Sequence, residues 1–386
     1  MNVLIDATGI TKNKAGVGVY AKNLIHELAN HHTDLHLFLV AQDDDSDLDY
    51  SAHSNVTMLW VPAKLFRKLF FRFLLEQLGL PMFFLKHHIE VVHSLHYSFP
   101  LIRFGTRQVV TLHDMTSYSM PEVHIPAKRI YFRIFIRTAK YLADNLIFVS
   151  ESARRDFIAR MGSPRGSTSV VLHGKSDAFR PDLDMKAVQR TRDTYQLPSD
   201  FVLYIGTIEP RKNLSRLVKA FASLADAHPQ LVLVIAGMKG WMYDQLFENV
   251  RQLNLQSRII FPGFIDEADK PFLLSAAKVF VYPSMYEGFG LPVLEALACG
   301  IPTVTSNTSS IPEVAGEAAL LVDPTSEAEI ADAIEQLLSN LTLRSKLRER
   351  SILQAAKFTW QRTAALTVEA YRFSAPKEQE ITVRES

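Results

Sequence analysis

Short apolar runs bounded by polar turn residues recur along the chain, separated by segments whose apolar positions repeat every three to four residues. The first spacing suits buried strands and the second amphipathic helices, and their alternation predicts parallel α/β architecture. Strands are expected at residues 3–7, 35–40, 56–61, 91–95, 108–113, 146–150 and 169–173, and again at 201–206, 231–237, 258–262, 279–283, 302–306 and 319–322. The stretch 177–200 holds Pro181, Pro198 and many charges without a long apolar run, and reads as a helix-containing linker between two doubly wound sheets. The expected domains are residues 1–182 and 183–358, with a helix over 359–372 and a polar tail over 374–386.

A length of 386 residues also asks for two units, at about 100 to 200 residues per domain. Apolar residues make up 47% and charged residues 22%, which excludes a disordered or collagen-like chain. The net charge of +1 argues against a general nucleic-acid binder. Cys299 stands alone and forms neither an internal disulfide nor a cysteine-based metal cluster. No cleavable leader precedes the first strand, and no run reaches the ~20 apolar residues of a membrane span. These features point to a reducing cytoplasm. The even total conceals an asymmetry, because residues 1–180 carry 21 Lys and Arg against 16 Asp and Glu, and residues 60–140 alone carry 12 against 4.

Candidate chemistry lies where strands end and helices begin, the edge at which parallel sheets bind ligands. Gly16, Val17, Gly18, Val19, Tyr20 and Ala21 fit the G-x-G-x-x-G/A dinucleotide fingerprint, but residues 8–15 intervene after the strand. That spacing suits close approach to a different ligand, or a tight loop needing positive φ and no ligand at all. A nicotinamide-dependent oxidoreductase with Asp43 on the ribose is the corresponding rival. In Gly206, Thr207, Ile208, Glu209, Pro210, Arg211, Lys212 and Asn213, two cations stand at a helix start, where they oppose the macrodipole unless an anion lies between. A solvated basic turn with Asn213 as N-cap is the plainer alternative.

The stretch 283–300 is the richest. Glu287, Gly288, Phe289, Gly290 and Leu291 form a glycine loop, Pro292 falls in the first helical turn, and the exposed N–H groups there make an anion cradle. Glu287 and Glu295 would repel a phosphate, so hydroxyls are their expected partners. Phosphate beside hydroxyls describes a sugar nucleotide. The alternatives are dipole compensation by Glu295, or a glycoside hydrolase using both carboxylates as acid and nucleophile. His113 and Asp114 end a strand of the first half as a catalytic or a structural pair. A metal shared by His113, His93 and His96 finds no matching carboxylate spacing, and no metal site is expected.

Residues 64–75 (KLFRKLFFRFLL) and 128–140 (KRIYFRIFIRTAK) are basic, aromatic and helical in spacing. Such helices lie in anionic membrane interfaces, with Lys64, Arg67, Lys68 and Arg72 as the membrane-contact residues, or cover a sheet with their cations reaching outward.

With these residues in hand, the chain resembles the retaining glycosyltransferases of family 4. The spacing from Glu287 to Glu295 within PSMYEGFGLPVLEALACGIPTV is similar to that family's paired-glutamate motif, and GTIEPRKN, GVGVY and TLHD follow its order. The resemblance implies the GT-B fold, two Rossmann-like domains facing across a cleft, with the helix 359–372 packing back toward the first. It implies a nucleotide-diphosphate sugar as co-substrate, held by the second domain, and a glycan or lipid-linked oligosaccharide acceptor held by the first, with no further cofactor.

Carried over, Arg211 and Lys212 would bind the diphosphate, Glu295 the ribose and Glu287 the transferred sugar. His113 and Asp114 would lie beside that sugar, Gly16 and Gly18 would let the first loop approach, and Gly263 and Phe264 would meet the base. Gly206, Thr207, Gly288, Phe289, Gly290 and Leu291 complete the expected contacts. Thr207 replaces the Arg that many members carry, so Arg211 supplies the second cation, while Ala15 and Val19 depart from the usual first loop. The stretch HDMTSYSMPEVHIPAKR resembles bacterial surface-polysaccharide mannosyltransferases, which favours GDP-mannose over a UDP-sugar and a lipid-linked oligosaccharide acceptor; the expected place is the cytoplasm, peripheral on the inner face of the cell membrane. A non-catalytic nucleotide-sugar sensor is the reading from another class.

Overall fold

Seven strands of the first unit and six of the second, counted among the described residues, are parallel throughout. The computed structural model describes residues 1–10, 12, 14, 16–123 and 125–372. Ala15 and the expected tail over 374–386 lie outside them. One unit comprises Met1–Leu172 and the chain from Trp360 onward; the other is His173–Thr359.

The first unit holds β1 (Asn2–Asp6), β2 (His36–Gln42), β3 (Val56–Val61), β4 (Val91–Ser94), β5 (Arg107–Leu112), β6 (Asn145–Phe148) and β7 (Ser167–Val170). Their order is β3-β2-β1-β4-β5-β6-β7, so the winding reverses between β1 and β4. Asn2 faces His36 across one edge of β1, and Asp6 faces Ser94 across the other. Helices cover both faces, which is why Val3, Leu4 and Ile5 are buried in succession rather than alternately. The helix Trp360–Arg372 belongs to this unit. Its Tyr371 hydroxyl lies 2.7 Å from His93 Nδ1, Gln361 bonds Glu27 at 3.0 Å, and Arg372 pairs with Asp34 at 2.7 Å.

Residues 64–75 do not form the single amphipathic helix that their spacing predicts. Helix Ala63–Phe66 stops at Arg67, Lys68 is extended, and helix Leu69–Leu74 then runs through a π-helical turn, Leu75–Gly79, into helix Leu80–His87. Pro81 lacks the N–H that a regular α-helical ladder would use there. Helix Pro126–Leu142 is continuous and buries Phe135, Ile136 and Ala139 against the sheet.

The second unit holds β8 (Phe201–Ile205), β9 (Val232–Ala236), β10 (Ile259–Gly263), β11 (Val279–Tyr282), β12 (Thr303–Ser306) and β13 (Leu320–Val322), in the order β10-β9-β8-β11-β12-β13. Its winding reverses between β8 and β11. At the carboxyl edge the ends of β8, β9 and β10 meet backbone to backbone, Gly206 N–H donating to Ala236 O at 2.9 Å and Gly237 N–H to Gly263 O at 2.8 Å. Gly237 has φ +140°, and a Cβ there would stand 2.0 Å from Gly206 O, so only glycine fits. His173 stacks on Phe289 and Lys175 bridges to Thr359, which joins residues just before the expected boundary at 183 to the second unit.

Candidate active site

The loops after β8 and β11, residues 206–213 and 283–290, flank the reversal point of the second sheet, where doubly wound sheets hold their ligands. They are locked together. The loop after β8 closes through a short turn at Pro210–Lys212, and Asn213 takes φ +61°. Asn213 Nδ2 donates to Pro283 O at 3.1 Å and to Pro324 O at 2.6 Å, while Met285 N–H donates to Arg211 O at 2.9 Å.

Glu287 is the centre of the cluster so formed. Arg211 Nη1 donates to its Oε2 at 2.7 Å, and Lys212 Nζ, Ser284 Oγ and Tyr282 Oη donate to its Oε1 at 2.6, 2.6 and 3.1 Å. Arg211 Nη2 also donates to Glu209 Oε1 at 2.7 Å, and Lys212 Nζ to Tyr282 Oη at 2.6 Å. Burial alone would raise the Glu287 carboxyl, but the facing Arg211 and Lys212 outweigh it and hold it at about 2. Burial and the Arg211 charge pull the Lys212 ammonium below the usual lysine range, with Glu287 and Glu209 pulling back. Two cations are thus fixed side by side, Lys212 buried and Arg211 partly buried, each engaged by carboxylates.

Serines from beyond β12 shape the second loop. Glu287 N–H donates to Ser309 Oγ at 2.9 Å, and Ser310 Oγ donates to Glu287 O and Phe289 O at 2.9 and 2.8 Å. Gly290 caps helix Leu291–Ala298 at φ +107°, and a Cβ on it would lie 2.6 Å from Ile311 Cδ1. The chain thereby enters the helix with Leu291 and Pro292 at its start, Pro292 having no N–H and the Val293 and Leu294 N–H groups donating to Gly290 O at 3.0 and 3.2 Å. Glu295, inside this helix, is buried and has neither a side-chain hydrogen bond nor an ion pair among the described residues. Burial raises its carboxyl to about 7, against a smaller opposing pull from Lys270, while Glu267 raises it further.

The remaining expected residues are placed as follows. Gly206 directly follows β8, Thr207 comes next, and Gly263 (φ +83°) ends β10 with Phe264 exposed beside it. Gly288 is half-buried, whereas the Phe289 ring is buried against His173 and Phe358, so its side chain packs the unit rather than lining a surface.

In the first unit, Gly16 and Gly18 lie in the first turn of helix Gly16–His31 and neither has positive φ, which corrects the tight-loop alternative. His113 Nε2 bonds Leu95 O at 2.8 Å, and burial lowers its pKa. Asp114 Oδ1 accepts from Thr116 N–H at 2.9 Å, Thr116 Oγ1 at 2.6 Å and Tyr97 Oη at 2.9 Å, a turn-capping role. His93 bonds Tyr371 and Thr111, and no cluster suited to a metal occurs among the described residues.

Of the four expected membrane-contact residues, Lys64 and Lys68 are exposed, and Arg67 is exposed but paired with Asp44 at 2.6 Å. Arg72 is a correction, because the break at Lys68 turns it inward onto Glu76 at 3.2 Å with its side chain 14% exposed. Sequence reasoning also left Glu209, Tyr282, Ser284, Ser309 and Ser310 out of the site. Glu209 and Ser284 lie inside the motifs GTIEPRKN and PSMYEGFG, and Tyr282 ends β11 just before the second, so these positions were the available signal; nothing in the pattern marks the two serines beyond β12.

Comparison with known proteins agrees with this geometry. A family model described as Glycosyltransferase Family 4 matches residues 15–175, and one described as Glycosyl transferases group 1 matches residues 189–354. Over 294 residues the chain is 32% identical to O-antigen chain mannosyltransferase B of Escherichia coli, covering 76% of this chain and 73% of that protein. Among solved structures, sucrose-phosphate synthase from Thermosynechococcus elongatus superposes with a TM-score of 0.77 at 22% identity, covering 96% of this chain and 98% of that one. Anabaena HepE, solved with UDP-glucose, gives 0.74 at 17% identity, covering 96% and 99%. Among the described residues no helix is long and apolar enough to cross a membrane.

Proposed function

Because the chain belongs to glycosyltransferase family 4, with the GT-B fold and the retaining chemistry of that family, we propose that it transfers mannose from GDP-mannose to a hydroxyl of a glycan or lipid-linked oligosaccharide in surface polysaccharide synthesis. The observation that carries the reading is the Glu287 cluster, two fixed cations held ready at the reversal point of the second sheet beside a helix N-terminus. The similarity to an O-antigen mannosyltransferase supports the choice of sugar, and the fold shared with a protein solved with UDP-glucose keeps a UDP-sugar as the second reading.

On this reading the donor diphosphate meets Arg211, Lys212 and the positive end of helix Leu291–Ala298. Glu287 then exchanges its cations for hydroxyls of the transferred sugar, and Glu295 accepts from the ribose. As the bond from the anomeric carbon to the phosphate oxygen breaks, negative charge grows on the leaving nucleoside diphosphate. Arg211 and Lys212 stabilise that charge more than the ground state, with no metal ion required. The acceptor oxygen attacks the same face of the oxocarbenium-like carbon, and its proton passes to the departing phosphate. Neither glutamate attacks the sugar, which separates this reading from a glycoside hydrolase.

The enzyme would work in the cytoplasm against an anionic membrane surface. Large apolar side chains stand exposed on three segments of the first unit: Phe70 and Leu78, Ile102 and Phe104, and Ile130 and Ile134. Lys64, Lys68 and Lys128 stand exposed on the same stretches, a mixture that suits a bilayer interface.

A thermal-shift screen with GDP, UDP and ADP tests the donor. A nucleotide present at 100 times its dissociation constant should stabilise the protein by about 2.7 kcal/mol. Stabilisation by GDP, and turnover of GDP-mannose, are expected; stabilisation by UDP alone would select the second reading.

A further inference from the structure

The first unit has its own reversal point, between β1 and β4, and Arg72 crosses it. A Cβ on Gly9, in the loop after β1, would stand 3.3 Å from Arg72 Nη1 and 3.8 Å from Cβ of His96, which follows β4. Arg72 is largely buried. Among the described residues its N–H groups donate to Ser98 Oγ at 3.5 Å and meet the Tyr131 hydroxyl, beside the 3.2 Å ion pair of Nε with Glu76. A guanidinium has five such donors. Its Nε, though not hydrogen-bonded, faces Glu76 Oε1 at 3.2 Å, while the buried Nδ1 of His96 has no hydrogen-bond partner among the described residues. Buried donors left in that state are costly unless a ligand or water fills them.

Glu76 keeps the guanidinium in place. The π-helical turn Leu75–Gly79 directs Glu76 inward to 1% exposure, where it accepts from Ser98 Oγ at 2.8 Å and from Tyr131 Oη at 3.4 Å. Burial and the nearby Asp6 raise its carboxyl to about 7 against the pull of Arg72, so at neutral pH it offsets the Arg72 charge only in part. Asp6 itself is engaged by Thr8, whose N–H and hydroxyl donate to Oδ1 at 2.9 and 2.6 Å. Lys128 adds a second cation acting on His96, and the rings of Tyr97 and Phe132 pack beside that histidine.

A planar fork whose Nε edge faces a carboxylate and whose Nη groups hold only a long contact to Ser98 and the Tyr131 hydroxyl has donors to offer an incoming oxyanion. We infer that Arg72 binds a phosphate or carboxylate group of the acceptor at the carboxyl edge of the first sheet, with Glu76 as its positioning residue. The inference rests on the glycosyltransferase reading, in which the first unit holds the acceptor.

The test uses the full chain saturated with GDP or UDP, so that the second unit's site is filled, and titrates inorganic phosphate and, separately, glucuronate by calorimetry. Wild type is expected to bind one of them. Arg72→Gln should weaken that binding at least tenfold while leaving nucleotide affinity unchanged, and Arg72→Lys should restore part of it. A response to phosphate identifies a phosphorylated acceptor; a response to glucuronate identifies an acidic sugar. Glu76→Gln should bind the anion more tightly relative to wild type as pH rises through 7, since only wild type gains a carboxylate charge there. Binding by neither anion, equal affinity in Arg72→Gln and wild type, or loss only in Lys212→Ala would overturn the assignment. Should wild type bind no nucleotide, the glycosyltransferase reading fails instead, and anion binding lost in Arg72→Gln would still place an oxyanion on Arg72.

Discussion

Lys212 Nζ lies 2.6 Å from Glu287 Oε1, a contact that joins the loops after β8 and β11. If this lysine stabilises the leaving phosphate, Lys212→Ala should lower turnover at saturating donor about 10²- to 10³-fold, the range seen when one preorganised donor to developing charge is removed. Steady-state kinetics with the donor identified by thermal shift would measure it. An unchanged turnover number would remove Lys212 from the chemistry.

Glu287→Gln should act on stability as well as on activity. Removing the carboxylate leaves Lys212 buried without its main counter-charge, and breaking a buried pair from one side costs about 3 to 5 kcal/mol. Denaturant unfolding of the ligand-free protein should show the loss, and bound nucleotide should recover part of it by supplying a new anion to the same cations.

Glu295 supplies a pH test. Its folded pKa of about 7 lies above the unfolded value for a glutamate, so the stability it contributes is full in acid and is lost as pH rises through 7. Nucleotide binding has the opposite sign, because the ionised carboxylate is the better acceptor for ribose hydroxyls. Affinity for the nucleoside diphosphate should therefore rise from pH 6 to 8 in wild type and lose that rise in Glu295→Gln. Parallel profiles would show that Glu295 does not touch the ribose.

Gly290→Ala should destabilise the protein by about 2 kcal/mol, since a side chain at φ +107° is strained and its Cβ would meet Ile311 Cδ1 at 2.6 Å. Calorimetric unfolding is the measure, with nucleotide affinity expected to fall because the helix start would shift. A neutral effect would mean the loop can relax at no cost.

Replacing Ile102, Phe104, Ile130 and Ile134 with Ser should weaken sedimentation with anionic vesicles by at least tenfold (~1.4 kcal/mol) while sparing nucleotide binding. Vesicle binding that survives these changes would return the apolar surface to ordinary solvent exposure.

Most strands were legible as short apolar runs closed by turn residues, as in Phe201–Ile205 ahead of Gly206, whereas the polar β7 (Ser167–Val170, STSV) begins two residues before the apolar run expected at 169–173. The pairing of Arg211 and Lys212 with Glu287 was half legible. Their loops could be placed at strand ends from the sequence, whereas adjacency depends on strand order, which the periodicity does not encode. Arg72 was misread for a definite reason. Helical spacing over 64–75 assumes one unbroken 3.6-residue period, and the extended Lys68 resets the phase before Arg72 is reached. Ser309 and Ser310 act through hydroxyls on backbone groups, a contact that leaves no mark in composition or pattern.

The return of helix Trp360–Arg372 to the first unit has a consequence for biosynthesis. The second unit is continuous in the chain and can close on the ribosome as soon as it emerges. The first unit is interrupted, and its buried network of His93, Thr111, Tyr20 and Tyr371 stays incomplete until this helix is translated. The first unit, although synthesised first, is thus the last to mature, and a stop codon anywhere between residues 359 and 371 would spare the second unit while leaving the first open to chaperones and proteases.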